Sequence, residues 1–80
     1  MIEKPEVGMR CYIITDFWEV LCPIPVTLFA GDGAGGAFAG RWELGDGFSE
    51  DYEGLKPEEL YATEWEAMEA IRARRRIEGA

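Results

Sequence analysis

Apolar and polar residues alternate in short stretches along most of this chain, and a helical period takes over near its C-terminal end. Arg10 to Thr15 and Trp18 to Cys22 read as two strands meeting at Asp16-Phe17. A two-residue turn there sets Cys11 opposite Cys22, Tyr12 opposite Leu21 and Ile13 opposite Val20. It also gathers Cys11, Ile13, Val20 and Cys22 on one apolar face. Asp16-Phe17 is poor chemistry for a tight hairpin, so a longer loop with a shifted register is the alternative. Pro23 and Pro25 stop regular pairing around Ile24, and Val26 to Ala30 forms a third strand. After a glycine loop from Gly31 to Gly36, Ala37 to Leu44 alternates strictly, with Phe38, Gly40, Trp42 and Leu44 on one side. Gly45-Asp46-Gly47 is a turn. Phe48 to Tyr52 returns as a short strand that Gly54 breaks. Pro57 to Leu60 makes a single helical turn and Tyr61-Ala62 a brief extended piece.

The last element carries the clearest signal. Thr63-Glu64-Trp65-Glu66 is a capping box, in which the Thr63 hydroxyl accepts from the Glu66 amide while Glu66 reaches back. A helix follows from about Glu64 to Arg76. Its acids Glu64, Glu66 and Glu69 come early and its arginines 72, 74, 75 and 76 late, which complements the helix dipole. Trp65, Met68 and Ile71 form its expected buried stripe, and Ala67 and Ala70 let backbones approach. The expected core is Ile13, Val20, Leu28, Phe38, Trp42, Leu44, Leu60, Trp65, Met68 and Ile71.

These elements predict one α+β, mostly β domain: a lead-in over 1–8, a β-rich part over 9–62 and a helix over 63–77. The container is a small antiparallel sheet or SH3-like barrel of four to five strands with one C-terminal helix. Val7-Gly8-Met9-Arg10-Cys11-Tyr12, the turn Lys56-Pro57-Glu58-Glu59-Leu60 and the tail Leu60-Tyr61-Ala62-Thr63-Glu64-Trp65-Glu66-Ala67 together resemble small SH3-like proteins of bacteria and phages. In those, a strand leads through a capped threonine into a C-terminal helix with a Glu-Ala step. This chain departs from the pattern at Trp65-Glu66 and in its Pro-rich and Gly-rich middle. The resemblance implies a fold and no particular activity.

Composition narrows the function classes. The chain has 80 residues and a net charge of −8, too short for a Rossmann pair or a TIM barrel. The acidity argues against direct binding of nucleic acid and against docking on an anionic membrane. The N-terminal residues lack the basic start and apolar core of a signal peptide. Val20 to Ala30 is well short of a membrane span and holds two prolines. A cytoplasmic protein is the expectation, in the host-cell cytoplasm if phage-encoded. There is no His, Asn or Gln, and Ser49 is the one serine. Catalysis therefore lacks its usual parts, and no enzyme and no cofactor are expected. Cys11 and Cys22 cannot complete a zinc site. They read as reduced, buried thiols, with a cross-strand disulfide as the alternative.

Gly31-Asp32-Gly33-Ala34-Gly35-Gly36 matches the dinucleotide fingerprint formally. A strand follows it where a helix is needed, and Asp32 puts negative charge where phosphate would lie. The Gly-Asp-Gly turns lack the ligand pattern of a calcium loop.

The charge is segregated. Glu43 to Glu69 holds ten acids against Lys56, a local −9, while Arg72 to Ala80 carries +3. The bland account is a solvated face that keeps the protein soluble. The sharper account is mimicry of nucleic-acid charge, with Glu43, Asp46, Glu50, Asp51, Glu53, Glu58, Glu59, Glu64, Glu66 and Glu69 facing a basic groove and Tyr52 as an aromatic anchor. By size and acidity, though by no shared motif, the chain resembles phage-encoded inhibitors of bacterial defence such as anti-CRISPR proteins. That implies a protein partner with a basic nucleic-acid-binding surface, such as a CRISPR-Cas subunit. The alternative is an SH3-like adaptor or phage assembly module that binds a protein segment through exposed aromatics.

Overall fold

Branched and aromatic residues spaced at period two build four strands: β1 (Arg10–Phe17), β2 (Val20–Gly31), β3 (Phe38–Glu43) and β4 (Ser49–Leu55). A 3-10 turn, Pro57–Glu59, leads into the helix α1 (Glu64–Glu78). The structure is a computed structural model that describes residues 2, 4–31 and 36–78, with side chains as far as residue 75. Over the described residues the fold is α+β and mostly β, one antiparallel sheet of order β1-β2-β3-β4 with one C-terminal helix.

The first hairpin turns at Trp18-Glu19, two residues beyond the position the alternation predicts. Both turn residues have positive φ, 52° and 66°, as a two-residue type I′ turn requires. Cys11 therefore faces Val26, Ile13 faces Ile24 and Thr15 faces Cys22. The expected Cys11–Cys22 pairing is corrected, and both thiols are free. The register moves by an even number of residues, so no residue of β1 changes face. What the shift gains is the burial of Ile24 and Val26 beside Cys11 and Ile13.

Pro23 and Pro25 do not stop pairing, as the sequence suggests. β2 runs unbroken for 12 residues. Phe17↔Val20 closes the tight turn, so alternate pairs outward from it exchange hydrogen bonds and the pairs between them do not. Ile14↔Pro23 and Tyr12↔Pro25 are pairs of the second kind. The missing proline N–H groups would point away from β1, toward the side where β3 pairs only from Thr27 onward. Pro25 thus ends the ladder with β3 and leaves the ladder with β1 intact.

Two irregularities bend the sheet. One lies between Leu28 and Ala30 on β2, at Phe29. The other lies opposite Phe38-Gly40 on β4, where Gly54 adopts a φ of +71°. Gly54 was expected to break this strand. Its left-handed backbone absorbs an extra residue instead, and β4 continues to the buried Leu55. Beyond the 3-10 turn, Tyr61 exchanges two backbone hydrogen bonds with Tyr12, at 2.8 and 2.9 Å, along the outer edge of β1.

Cys11, Ile13, Ile24, Val26, Leu28, Leu55 and Leu60 form the inner cluster, with Phe17, Phe38, Trp42 and Tyr52 at its margin. Gly40 lies over it because a side chain there would meet Val26 and Leu55. The helix packs against β1 and β2 through Ala67 and Ile71, both buried, and the half-buried Ala70. Tyr12, Ile14, Leu21, Pro23 and Pro25, on the face opposite the inner cluster, are half-buried in keeping with that cover. Three members of the expected core are corrected here: Trp65 is 69% exposed, Val20 50% and Met68 37%. Steps of three drift by about 60° per step around a helix, so Trp65, Met68 and Ile71 do not share a face. Ala67 and Ile71, four apart, do. Val20 lies at the tip of the hairpin, beyond the reach of β3.

Candidate interaction surface

The acidic residues fall on two separate parts of the molecule. Glu43, Glu50, Asp51 and Glu53 lie on β3 and β4, with Asp46 in the turn between them. Glu58 and Glu59 lie on the 3-10 turn, and Glu64, Glu66 and Glu69 on α1. The helix makes its principal contacts with β1 and β2. Folding does not lay these acids out on one sheet face.

Several of them have local work. The Asp46 carboxylate accepts from the Phe48 amide at 3.1 Å and fixes the β3–β4 turn. Glu59 accepts from the Lys56 amide at 2.9 Å. The Thr63 hydroxyl accepts from the Glu66 amide at 3.1 Å, and the Glu66 carboxylate accepts from the Ala62 amide at 3.2 Å. That is the expected capping box with its return bond moved one residue back. Glu69 pairs with Arg72 at 2.6 Å. Glu43, Glu53, Glu58 and Glu64 are exposed.

Asp51 does not stand as an isolated negative charge. It faces Arg41 across β3 and β4, and the guanidinium donates to both carboxylate oxygens, at 2.7 and 3.3 Å. The hydrogen bond from Arg41 holds the Asp51 carboxyl below its ordinary value, and the same contact raises Arg41. Arg41 also lies 4.7 Å over the Phe29 ring that the bulge turns outward. Registers of Arg10 with Thr27, Thr27 with Arg41 and Arg41 with Asp51 carry a mixed-charge row across all four strands. A cleft of about 310 Å³, lined by Arg10, Pro25, Thr27, Arg41 and Glu43, opens where Pro25 ends the ladder.

Tyr52 is half-buried at the margin of the inner cluster. Its hydroxyl donates to Glu50 at 2.9 Å and also meets Thr15 of β1. Burial, and then the bond and charge of Glu50, push its pKa up to about 12. Beside it, the Phe17 and Trp42 rings meet at 5.7 Å with a tilt of 48°. Tyr52 is thus a margin residue of the core with one polar edge. Burial also raises the Cys11 thiol above its ordinary value.

The feature that sequence reading passed over is the hairpin tip. Trp18 is 96% exposed, at the apex of a ribbon that extends past β3. Asp16 and Glu19 beside it are exposed, and so is Val20. Asn-Gly or Gly-Gly is the inexpensive choice for a turn with two positive-φ residues. Trp-Glu at these positions puts two bulky side chains in the left-handed region, which costs on the order of 1 kcal/mol each. Its sequence signal is the Trp-Glu pair between two strand runs, one dipeptide beyond Asp16-Phe17.

The glycine loop enters from β2 and leaves into β3. Asp32, whose charge disfavours a phosphate there, lies outside the described residues. Among the described residues no three or more Cys, Asp or Glu gather as metal ligands, and no helix is long and apolar enough to cross a membrane. Compared with protein-family models, curated proteins and solved structures, the chain matches none.

Proposed function

We propose that this chain is a non-enzymatic interaction protein that binds a basic protein partner, with the tip of its first hairpin as the apolar anchor and its carboxylates as the charge complement. The observation that carries this reading is Trp18, 96% exposed on a turn whose two non-glycine residues have φ of 52° and 66°. Sparsely populated backbone concentrates where a side chain is displayed for a purpose, and tryptophan is the residue most enriched among interface anchors. Asp16 and Glu19 flank it, and the chain as a whole carries −8, so a cationic surface is the complementary one.

In its finer form the proposal has an SH3-like barrel as the scaffold. The bridge between Tyr12 and Tyr61 and the approach of Thr15 on β1 to Tyr52 on β4 support it, since both bring opposite ends of the strand order together. The partner is a nucleic-acid-handling protein, and the chain acts by occupying its basic groove without turnover, as phage-encoded inhibitors of bacterial defence do. A cytoplasmic site of action goes with that partner.

The test is a pull-down against nucleic-acid-handling complexes, with and without their DNA, at low and high salt. Binding that DNA competes away, that weakens with salt and that falls on charge reversal at Glu50, Asp51, Glu58 and Glu59 supports blockade. Binding indifferent to all three but lost in Trp18→Ala instead supports the adaptor reading, for which the exposed tip is the specific observation. Binding that survives both sets of substitutions overturns the proposal.

A further inference from the structure

Among the described residues nothing covers the outward side of α1, and its residues are not those of an ordinary solvated face. Trp65 is 69% exposed and Met68 37%; Trp65 lies opposite Ala67 and Ile71, the residues that hold the helix to the sheet, and Met68 lies on the flank between Trp65 and Ile71. Arg72 and Arg75 are exposed on the same side. Along the helix axis the charges separate: Glu64, Glu66 and Glu69 come first, the arginines at 72, 74, 75 and 76 second. With Glu78 the helix holds four acids and four bases, so it is neutral in a chain of net −8.

We infer that α1 is a self-association surface, on which two copies of the chain pair their helices antiparallel about a two-fold axis level with residue 70. A surface whose one half is acidic and whose other half is basic is complementary to itself only when a second copy is turned end for end. This is the isologous arrangement of closed dimers. At that register Trp65 of one copy meets the guanidinium of Arg75 on the other. Met68 covers the apolar stem of the other copy's Arg72, and Glu69 comes within reach of the same arginine. Neutrality matters as much as complementarity. Two bodies of −8 repel wherever acidic faces approach, and this helix lets apolar surface meet without adding charge of one sign. One helix pair buries little area, so the dimer is weak, formed at about 100 µM and dissociated at about 1 µM.

Sedimentation equilibrium of the full chain across that range tests the inference. The expected result is a concentration-dependent dimer that Trp65→Ala or Met68→Glu weakens by at least about 10-fold. Both residues are exposed, so the circular dichroism of the variants should match the parent. Arg72→Glu should weaken the dimer, and the double swap Glu69→Arg with Arg72→Glu should restore it. A monomer at the highest concentration overturns the inference. So does a dimer indifferent to Met68→Glu, or a charge swap that fails to rescue. None of these outcomes bears on the hairpin tip, so the functional proposal stands or falls separately.

Discussion

Replacing Trp18-Glu19 with Asn-Gly should make the protein more stable while removing the side chain on which partner binding is proposed to depend. Two non-glycine residues sit in the left-handed region at φ of 52° and 66°. Each costs on the order of 1 kcal/mol there, while glycine pays nothing and asparagine little. Trp18 is 96% exposed, so its removal forfeits almost no buried area. The balance is a gain of about 1–2 kcal/mol, and in a domain this small a gain of that size raises the Tm by roughly 5–12 °C. Thermal melts followed by circular dichroism measure it. Trp18→Ala is the control: it keeps the backbone demand, so its Tm should stay within about 4 °C of the parent. An Asn-Gly variant that melts at or below the parent would show that the turn carries no strain, and the case for a displayed tryptophan would lose its energetic basis.

Gly40→Ala should destabilise by about 1–3 kcal/mol in a denaturant titration. Its new Cβ would stand 3.0 Å from Val26 Cγ2 and 3.3 Å from Leu55 Cδ1, inside the core. Thr63→Ala removes the hydroxyl that accepts from the Glu66 amide and should cost about 1 kcal/mol, read as a lower denaturation midpoint with unchanged slope. Tyr52 should titrate near its raised pKa of about 12 in a phenolate absorbance titration, against 10.0 unfolded. Because folding favours the neutral phenol, the stability it contributes is complete below pH about 10. It is lost as pH rises through about 12, and Tyr52→Phe should flatten that alkaline loss.

Faces were legible in the sequence and partners were not. Alternation correctly put Cys11 and Ile13 on the inner side of β1, because a register shift of even length leaves faces unchanged. It could not place the turn, because Trp-Glu is an unfavoured pair for positive φ and only the burial of Ile24 and Val26 repays it. Proline chemistry misled for a related reason. Whether a proline breaks a strand depends on which neighbour its N–H would face, and that follows from the register. The capping box at Thr63 is local and came through nearly intact. The stripe on α1 failed because steps of three drift around the helix, and the apolar character of Trp65 and Met68 hid the alanine-lined face, at Ala67 and Ile71, that meets the sheet. The acidic stretch was visible as charge. Its division between β3–β4 and the helix, and the pairing of Asp51 with Arg41, depend on contacts between strands.

The two prolines of β2 and the carboxylates of β4 have a shared consequence for the behaviour of the protein at high concentration. A sheet with open edges invites a neighbour to add a strand, the first step toward ordered aggregates. Along the open half of β2, Pro23 and Pro25 remove the donors that such a neighbour would need. Along β4, the other outer strand, Glu50 and Glu53 would set like charge against any second copy arriving in register. Tyr61 occupies part of the remaining edge, at Tyr12. Each border of the sheet thus has its own deterrent to strand addition, and charge on β4 serves this end whether or not a partner ever reads it.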